Sequence, residues 1–354
     1  MEEQDFIIDQ SELDDFQVQL LQKRALTGGS NNNGAGGRSM IVSGCAGSGK
    51  TILALWKTKE IQSLGFSYIF IVFTRALHQY MSKGIQYIGL EDEHFMYHHK
   101  WKEKGCPSAD FIIVDEIQDF TREEISQFKK AAKKAFLFWG DSAQTIFRNL
   151  KPTQDILSIA AEAGIHPETL VFNHRLPKKI ARLAAQMQCD DDLVRRCTKE
   201  GEELPRILRF NTLEEQLDAA MQQIKNRQIT KAAMLFPEKS VLQKAYNYLK
   251  SKGHKIEAHI RDQSNLGYKV SDMNFSSYNT KLLTYHSAKG LQFEAVFLPE
   301  CNPPEMMGVE PLYVAITRSY RYLFVMYSNK LSRHFDAIPK NLYSTSLEEA
   351  RIEL

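Results

Sequence analysis

Gly44-Cys45-Ala46-Gly47-Ser48-Gly49-Lys50-Thr51 has the spacing G-x-x-x-x-G-K-[ST], and its flanks decide the fold. Met40-Ile41-Val42 before it is an apolar run that reads as a buried strand. Thr51-Ile52-Leu53-Ala54-Leu55-Trp56 after it reads as the first turns of a helix. Strand, glycine-rich turn and helix start, in that order, make a cradle for phosphate. Glycines let backbone N–H groups wrap an anion, and the helix N-terminus adds positive potential. In such a cradle Lys50 reaches the β- and γ-phosphates and the Thr51 hydroxyl ligates Mg²⁺. A glycine-rich turn without a ligand is the alternative, and four coinciding features argue against it. The stretch predicts a chain that binds a nucleoside triphosphate.

Downstream of the loop the chain alternates between strands and helices. Tyr68-Ile69-Phe70-Ile71-Val72-Phe73 is a continuous apolar run suited to a central parallel strand. It ends in Thr74-Arg75, and ligands bind at such strand ends. Residues 84–108 read as irregular, with His94, His98, His99 and Cys106 close together. Their spacing matches no standard zinc pattern, so a solvated basic-aromatic loop is the expectation. Phe111-Ile112-Ile113-Val114 delivers Asp115 and Glu116 at its end. An acidic pair after four apolar residues is costly unless positive charge lies opposite. Asp115 holding Mg²⁺ and Glu116 polarising the attacking water would account for both. An acidic first turn of a helix explains the charges but not their pairing with a phosphate loop. Ala135-Phe136-Leu137-Phe138-Trp139 is a further strand, followed by Gly140-Asp141-Ser142-Ala143-Gln144, where a glutamine past the sheet edge can sense a γ-phosphate.

Upstream, residues 11–26 read as an amphipathic helix with Ser11 as N-cap, and the Gly/Asn/Ser-rich segment 27–38 as a mobile loop. The polar stretch 189–203 is the expected boundary between an N-terminal lobe (1–188) and a C-terminal lobe (189–354). In the second lobe, 232–236, 281–284, 295–298 and 322–326 read as strands, with helices near 212–225, 241–250 and 313–318. The alternation predicts two doubly wound α/β lobes with parallel sheets, the second without a phosphate loop.

The totals fit a globular chain: 354 residues, 43% hydrophobic, 25% charged and a net charge of +2. Five cysteines without a C-x-x-C pair argue against a disulfide framework and a zinc ribbon. No long apolar run is present and the first residues are acidic, so neither a membrane span nor a signal peptide is expected, and the reading is cytoplasmic.

Eight segments in order, LDDFQ, GCAGSGKT, VFTR, IIVDEIQD, GDSAQTIFR, NHR, TYHSAKGLQF and YVAITRS, resemble the motif set of superfamily 1 helicases of the UvrD/PcrA/Rep type. They run from Leu13 to Ser319. The resemblance implies ATP and Mg²⁺ as cofactors, two RecA-like lobes in tandem around the nucleotide, and single-stranded DNA as the partner, tracked 3′-to-5′. It implies that Gln17 reads the adenine edge, that Gln144 couples the γ-phosphate to the DNA track, and that Arg175 and Arg318 are arginine fingers. It places Phe73, Thr74, Arg75, Phe147, Arg148, Thr284 and His286 on the DNA track.

The chain departs from that pattern where the base should sit. Ile52 replaces an arginine that stacks on adenine, His174 a tyrosine on the other face, and Gln292 a glutamate near the ribose. Asn149 replaces a tryptophan that stacks DNA bases. The family's large inserted subdomains are also absent or reduced, since only residues 76–111 and 176–283 separate the relevant motifs. Small proteins of this kind are similar to the helicase subunits of bacterial anti-phage systems such as the Gabija type. That similarity implies a nuclease partner and a switch-like ATPase as the alternative to a motor.

Overall fold

The computed structural model describes residues 10–23, 26–27, 36–141, 152–188, 192–258, 260, 273–304 and 307–347. Gln144, Phe147, Arg148 and Asn149 lie outside the described residues. The chain divides into two compact units, Met1–Asn173 and His174–Leu354, so residues 174–188 go with the second.

In the first unit, helix α1 (Asp15–Gln22) is followed by an antiparallel pair, β1 (Leu26–Thr27) and β2 (Gly36–Gly37). Then come β3 (Met40–Gly44), α2 (Lys50–Ser63), β4 (Tyr68–Val72), α3 (Arg75–Ile88), β5 (Phe95–Tyr97) and α4 (His98–Glu103). The unit ends with β6 (Ala109–Val114), α5 (Arg122–Ala131), β7 (Ala132–Gly140), α6 (Ile156–Ala163) and β8 (Glu168–Leu170). Its six-stranded sheet has the order β5-β4-β6-β7-β3-β8, and every pair in it is parallel. Ile41, Val42, Phe70, Ile71, Val72 and Phe111 through Val114 are fully buried, as strands covered by helices on both faces require.

Two local expectations need correction. Helix α1 begins at Asp15 rather than near residue 11, because Asp14 and not Ser11 is its N-cap. The Asp14 carboxylate accepts the Gln17 N–H at 2.8 Å, and Gln17 Oε1 accepts the Asp14 N–H at 3.0 Å. That reciprocal capping box fixes the start. The stretch 84–108 is not an irregular loop. Helix α3 stops at Gly89, whose φ of 71° few other residues adopt. The short edge strand β5 and helix α4 follow. Trp101 anchors α4 with no exposure and donates its indole N–H to the Pro107 carbonyl at 3.1 Å. His98 packs against Phe120 at 5.0 Å and Phe128 at 5.7 Å, whereas His94 pairs with Glu91 and His99 with Glu103. The histidines are therefore drawn to separate neighbours.

The second unit contains α7 (Lys178–Gln188), α8 (Asp192–Arg196), β9 (Arg206–Arg209), α9 (Leu213–Asn226), β10 (Ala232–Phe236) and α10 (Lys239–Ser251). β11 (Ile256–Ala258), β12 (Thr280–Thr284), β13 (Phe293–Leu298), α11 (Glu310–Ile316) and β14 (Ser319–Tyr327) complete it. Its six strands are also all parallel, in the order β11-β12-β10-β13-β14-β9.

The two sheets share a winding. In the first, β4-β6-β7-β3 are neighbours; in the second, β10-β13-β14-β9. Each unit's opening strand thus crosses over two places before its successor is laid down, and the later strands fill the gap. Both units are doubly wound α/β lobes, as the alternation of elements predicts, and RecA-like, as the motif resemblance implies. They differ at the first turn. After β9, Thr212 caps α9 by accepting the Glu215 N–H at 3.2 Å, and no glycine loop precedes the helix. Among the described residues no helix is long and apolar enough to cross a membrane.

Candidate functional site

β7 lies between β3 and β6, so the phosphate loop and Asp115 leave the sheet two strands apart. At about 4.8 Å per strand that is roughly 10 Å between backbones, a gap that side chains must close. They do so: the Thr51 hydroxyl donates to Asp115 Oδ2 at 2.6 Å.

The loop itself is shaped by steric need. Gly47 and Gly49 have φ of 76° and 85°. A Cβ on Gly49 would lie 2.6 Å from Gln17 Nε2, and one on Gly44 would lie 2.5 Å from Ser48 Oγ. Gly49 is the N-cap of the 14-residue helix α2 and offers no side chain to its first N–H groups, leaving them for an anion. Lys50 is buried and its ammonium donates to the Gly44 and Cys45 carbonyls at 2.7 and 2.9 Å, which holds the charge at the loop's centre. Ser48 Oγ is buried with no hydrogen-bond partner among the described residues. That orphaned hydroxyl inside a turn of N–H donors fits a phosphate oxygen. A hydroxyl and a carboxylate oxygen converging at one point are likewise the hard-oxygen donors that Mg²⁺ takes. Thr51 and Asp115 would hold the ion, which when bound neutralises phosphate charge.

Asp115 is buried, and its pKa is pushed up to about 6, first by burial and then by the charge of Glu116, against the Thr51 hydrogen bond and Lys50. A carboxyl whose folded pKa exceeds its unfolded value stabilises the fold only while protonated, so the contribution is lost as pH rises through about 6. Metal-free Asp115→Asn is therefore expected to melt a few degrees above the unsubstituted chain at pH 8. The gap should close between pH 6 and pH 4; thermal unfolding in chelator measures it. A gap that stayed constant with pH would refute the assignment.

Glu116 follows on a left-handed backbone, φ 56° and ψ 43°, an uncommon conformation outside glycine. Gln118 donates its amide N–H to Glu116 Oε2 at 2.5 Å, and Gln118 Oε1 accepts the Asp141 N–H at 3.0 Å. The carboxylate is thereby tied to the end of β7. Gly140 makes room for this bridge, since a Cβ there would fall 2.3 Å from Gln118 Oε1. Gln118 belongs to the DEIQD segment, and its hold on Glu116 shows only in the folded chain. A carboxylate fixed at a strand end beside a cation-ligating pair can take a proton from water attacking a phosphate.

Gln17 sits beside the loop rather than away from it. It is buried and its Nε2 donates to the Ser48 carbonyl at 3.0 Å, while its Oε1 caps the Asp14 N–H. Helix α1 is pinned from behind by Lys57, which is fully buried in α2. The Lys57 ammonium donates to the Leu21 carbonyl at 2.7 Å, the Lys23 carbonyl at 2.5 Å and Glu60 Oε2 at 2.8 Å. Ile52 is half-buried in the first turn of α2.

The remaining predicted residues have local roles. Phe73 packs on Phe120 at 5.2 Å, and Thr74 caps α3 by accepting the Leu77 N–H at 3.1 Å, with half-buried Arg75 next to it. In the second unit Thr284 is buried at the end of β12 and its hydroxyl bonds Ser287 Oγ at 3.0 Å. His286 is half-buried, its pKa lowered by burial and by Lys239. His174, Arg175 and Gln292 are half-buried in the same unit. Arg318 is not displayed at the surface. It is 1% exposed, with Nε on the Val314 carbonyl at 2.8 Å, Nη1 on the Leu291 carbonyl at 3.4 Å and Nη2 on Thr317 Oγ1 at 3.1 Å.

A family model described as the viral superfamily 1 RNA helicase core domain matches residues 40–327. No curated protein matches the chain. Solved structures similar to it include the C-terminal domain of a possible DNA helicase from Lactobacillus plantarum WCFS1. That similarity has 19% identity and a TM-score of 0.38, covering 49% of this chain and 98% of that one. The arterivirus nonstructural protein 10 helicase is similar at 13% identity, TM-score 0.43, with 81% of this chain and 59% of that one covered. The PRRSV helicase is similar at 16% identity, TM-score 0.44, with 82% and 52% covered. The chain thus spans less than two thirds of each viral helicase.

Proposed function

The chain belongs to the superfamily 1 helicase core family described as the viral superfamily 1 RNA helicase core domain, and from that premise we propose an ATP- and Mg²⁺-dependent motor on single-stranded nucleic acid. Within this reading it is of the UvrD/PcrA/Rep type and tracks single-stranded DNA 3′-to-5′. The observation that carries the proposal is the Thr51–Asp115 contact at 2.6 Å, with Glu116 held beside it by Gln118. Cation site and general base meet there at the end of one sheet. Glu116 takes a proton from water, Lys50 steadies the phosphate charge, and the loop N–H groups fix the chain of phosphates.

The family description names RNA, whereas the motif resemblance points to DNA. Residues that stack on bases and touch the backbone discriminate poorly between the two. Hydrolysis should therefore be measured with single-stranded DNA and RNA side by side. Stimulation is expected with DNA the better activator. With about four phosphate contacts, each releasing ~0.7 counterion, the half-maximal DNA concentration should rise roughly fifty-fold from 50 to 200 mM salt. Hydrolysis indifferent to both nucleic acids at low salt would sink the proposal.

A second reading, a nucleic-acid-activated switch serving a nuclease partner in anti-phage defence, is favoured by the economy of the lobes. Between β4 and β6 the chain builds only α3, β5, α4 and one short 3₁₀ turn, which leaves little to grip a duplex. Under this reading brisk hydrolysis goes with poor strand displacement on tailed duplexes. Processive unwinding by the chain alone would exclude it.

A further inference from the structure

Few large apolar side chains are exposed among the described residues, and three of them, Phe16, Val171 and Phe172, gather at the phosphate-loop end of the first sheet. Phe16 and Phe172 are 44% and 37% exposed, yet their rings meet edge to face, with centroids 5.7 Å apart and planes at 70°. Both are tied to the loop by the backbone. Phe16 precedes Gln17, whose amide bonds the Ser48 carbonyl. Phe172 lies two residues past Leu170, the partner of Gly44 in the β3–β8 register, so the chain there runs on beyond the start of the loop. Two rings at a steep angle form a notch in which a flat heterocycle can lie on one face with its edge against the other.

We propose that Phe16 and Phe172 form the platform for the nucleobase of the bound triphosphate, an inference that rests on the nucleotide reading of the loop. Continuity with the phosphate cradle singles out this occupant: a base is tethered one sugar away from the phosphates and must rest on the surface beside them. The platform also supplies an aromatic surface in a chain where position 52 is isoleucine. The Gln17 amide holds Asp14 and the loop with one bond from each of its atoms, which fixes it beside the rings. The platform acts on the π face, which every base offers, so it serves ATP and GTP alike.

Equilibrium binding of ATP, GTP and inorganic tripolyphosphate, each with Mg²⁺, tests this on the full chain and on Phe16→Ala, Phe172→Ala and Phe16→Leu. Each alanine variant should weaken ATP and GTP alike by about tenfold, within the range of base–aromatic stacking, and leave tripolyphosphate unchanged. Phe16→Leu, apolar but without a π face, should behave as alanine does, whereas a further variant, Phe16→Trp, should bind ATP as tightly as the unsubstituted chain. Unchanged ATP affinity in both alanine variants would overturn the platform. An equal loss for tripolyphosphate would also overturn it, by showing that the rings merely support the loop. Failure of the unsubstituted chain to bind either ATP or tripolyphosphate would instead overturn the nucleotide reading itself.

Discussion

Glu116→Gln should lower the rate of nucleotide hydrolysis by at least ~10²-fold while leaving nucleotide affinity within a few-fold of the starting value. The geometry makes this substitution unusually clean. The new amide oxygen can still accept the Gln118 N–H that now reaches Glu116 Oε2 at 2.5 Å, so the tie to Asp141 survives. Thr51 and Asp115 are untouched, and so are the loop donors that bind phosphate. What disappears is the basicity that removes a proton from attacking water. Single-turnover hydrolysis with pre-bound nucleotide separates the rate from affinity. A variant that turned over within a few-fold of the original would remove Glu116 from the general-base role and move attention to Gln118 and the loop.

The second large effect is on stability. Arg318→Ala is expected to destabilise the second lobe by on the order of 4 kcal/mol. The change deletes charge-assisted bonds worth about 1.5–3 kcal/mol each and leaves a cavity. Val314 and Leu291 carbonyls would lose their donor in a site from which water is excluded. For a lobe of this size that is a fall of roughly 10 °C in melting temperature. Arg318→Lys should recover part of it. A surface arginine finger, the role implied by the motif resemblance, would leave melting unchanged and affect only turnover. Thermal unfolding without nucleotide therefore separates the two roles, and an unshifted melting point would show that the guanidinium is not the support its burial suggests.

The phosphate loop, the acidic pair and the central strands were legible because each rests on a local rule. Apolar runs such as Ile112-Ile113-Val114 can only be buried, and a glycine spacing such as that from Gly44 to Gly49 has few other uses. Two strands that the apolar pattern does not reveal, β9 and β11, carry charge. β9 begins with Arg206, buried against Glu203 at 2.6 Å, and β11 holds Glu257, paired with Lys281 at 3.3 Å. A charge that folding buries in an ion pair looks like a surface charge in the sequence. Residues 84–108 look irregular in the sequence for a related reason, since a three-residue edge strand is too short to show a period. Inside the site, Gln118 and Lys57 escaped notice because a single polar residue reveals its partner only after the chain has folded.

Lys57 turns that hidden partnership into a usable probe. Its amine is enclosed by carbonyls of the segment that ends α1, and burial lowers its proton affinity, partly offset by Glu60. An acylating reagent that marks solvent lysines within seconds must leave Lys57 unlabelled for as long as α1 stays seated. Once the helix lifts, the same amine becomes a reactive one. The labelling time course of this one position, read by peptide mass, would thus clock how often the segment carrying Phe16 and Gln17 comes away from the loop.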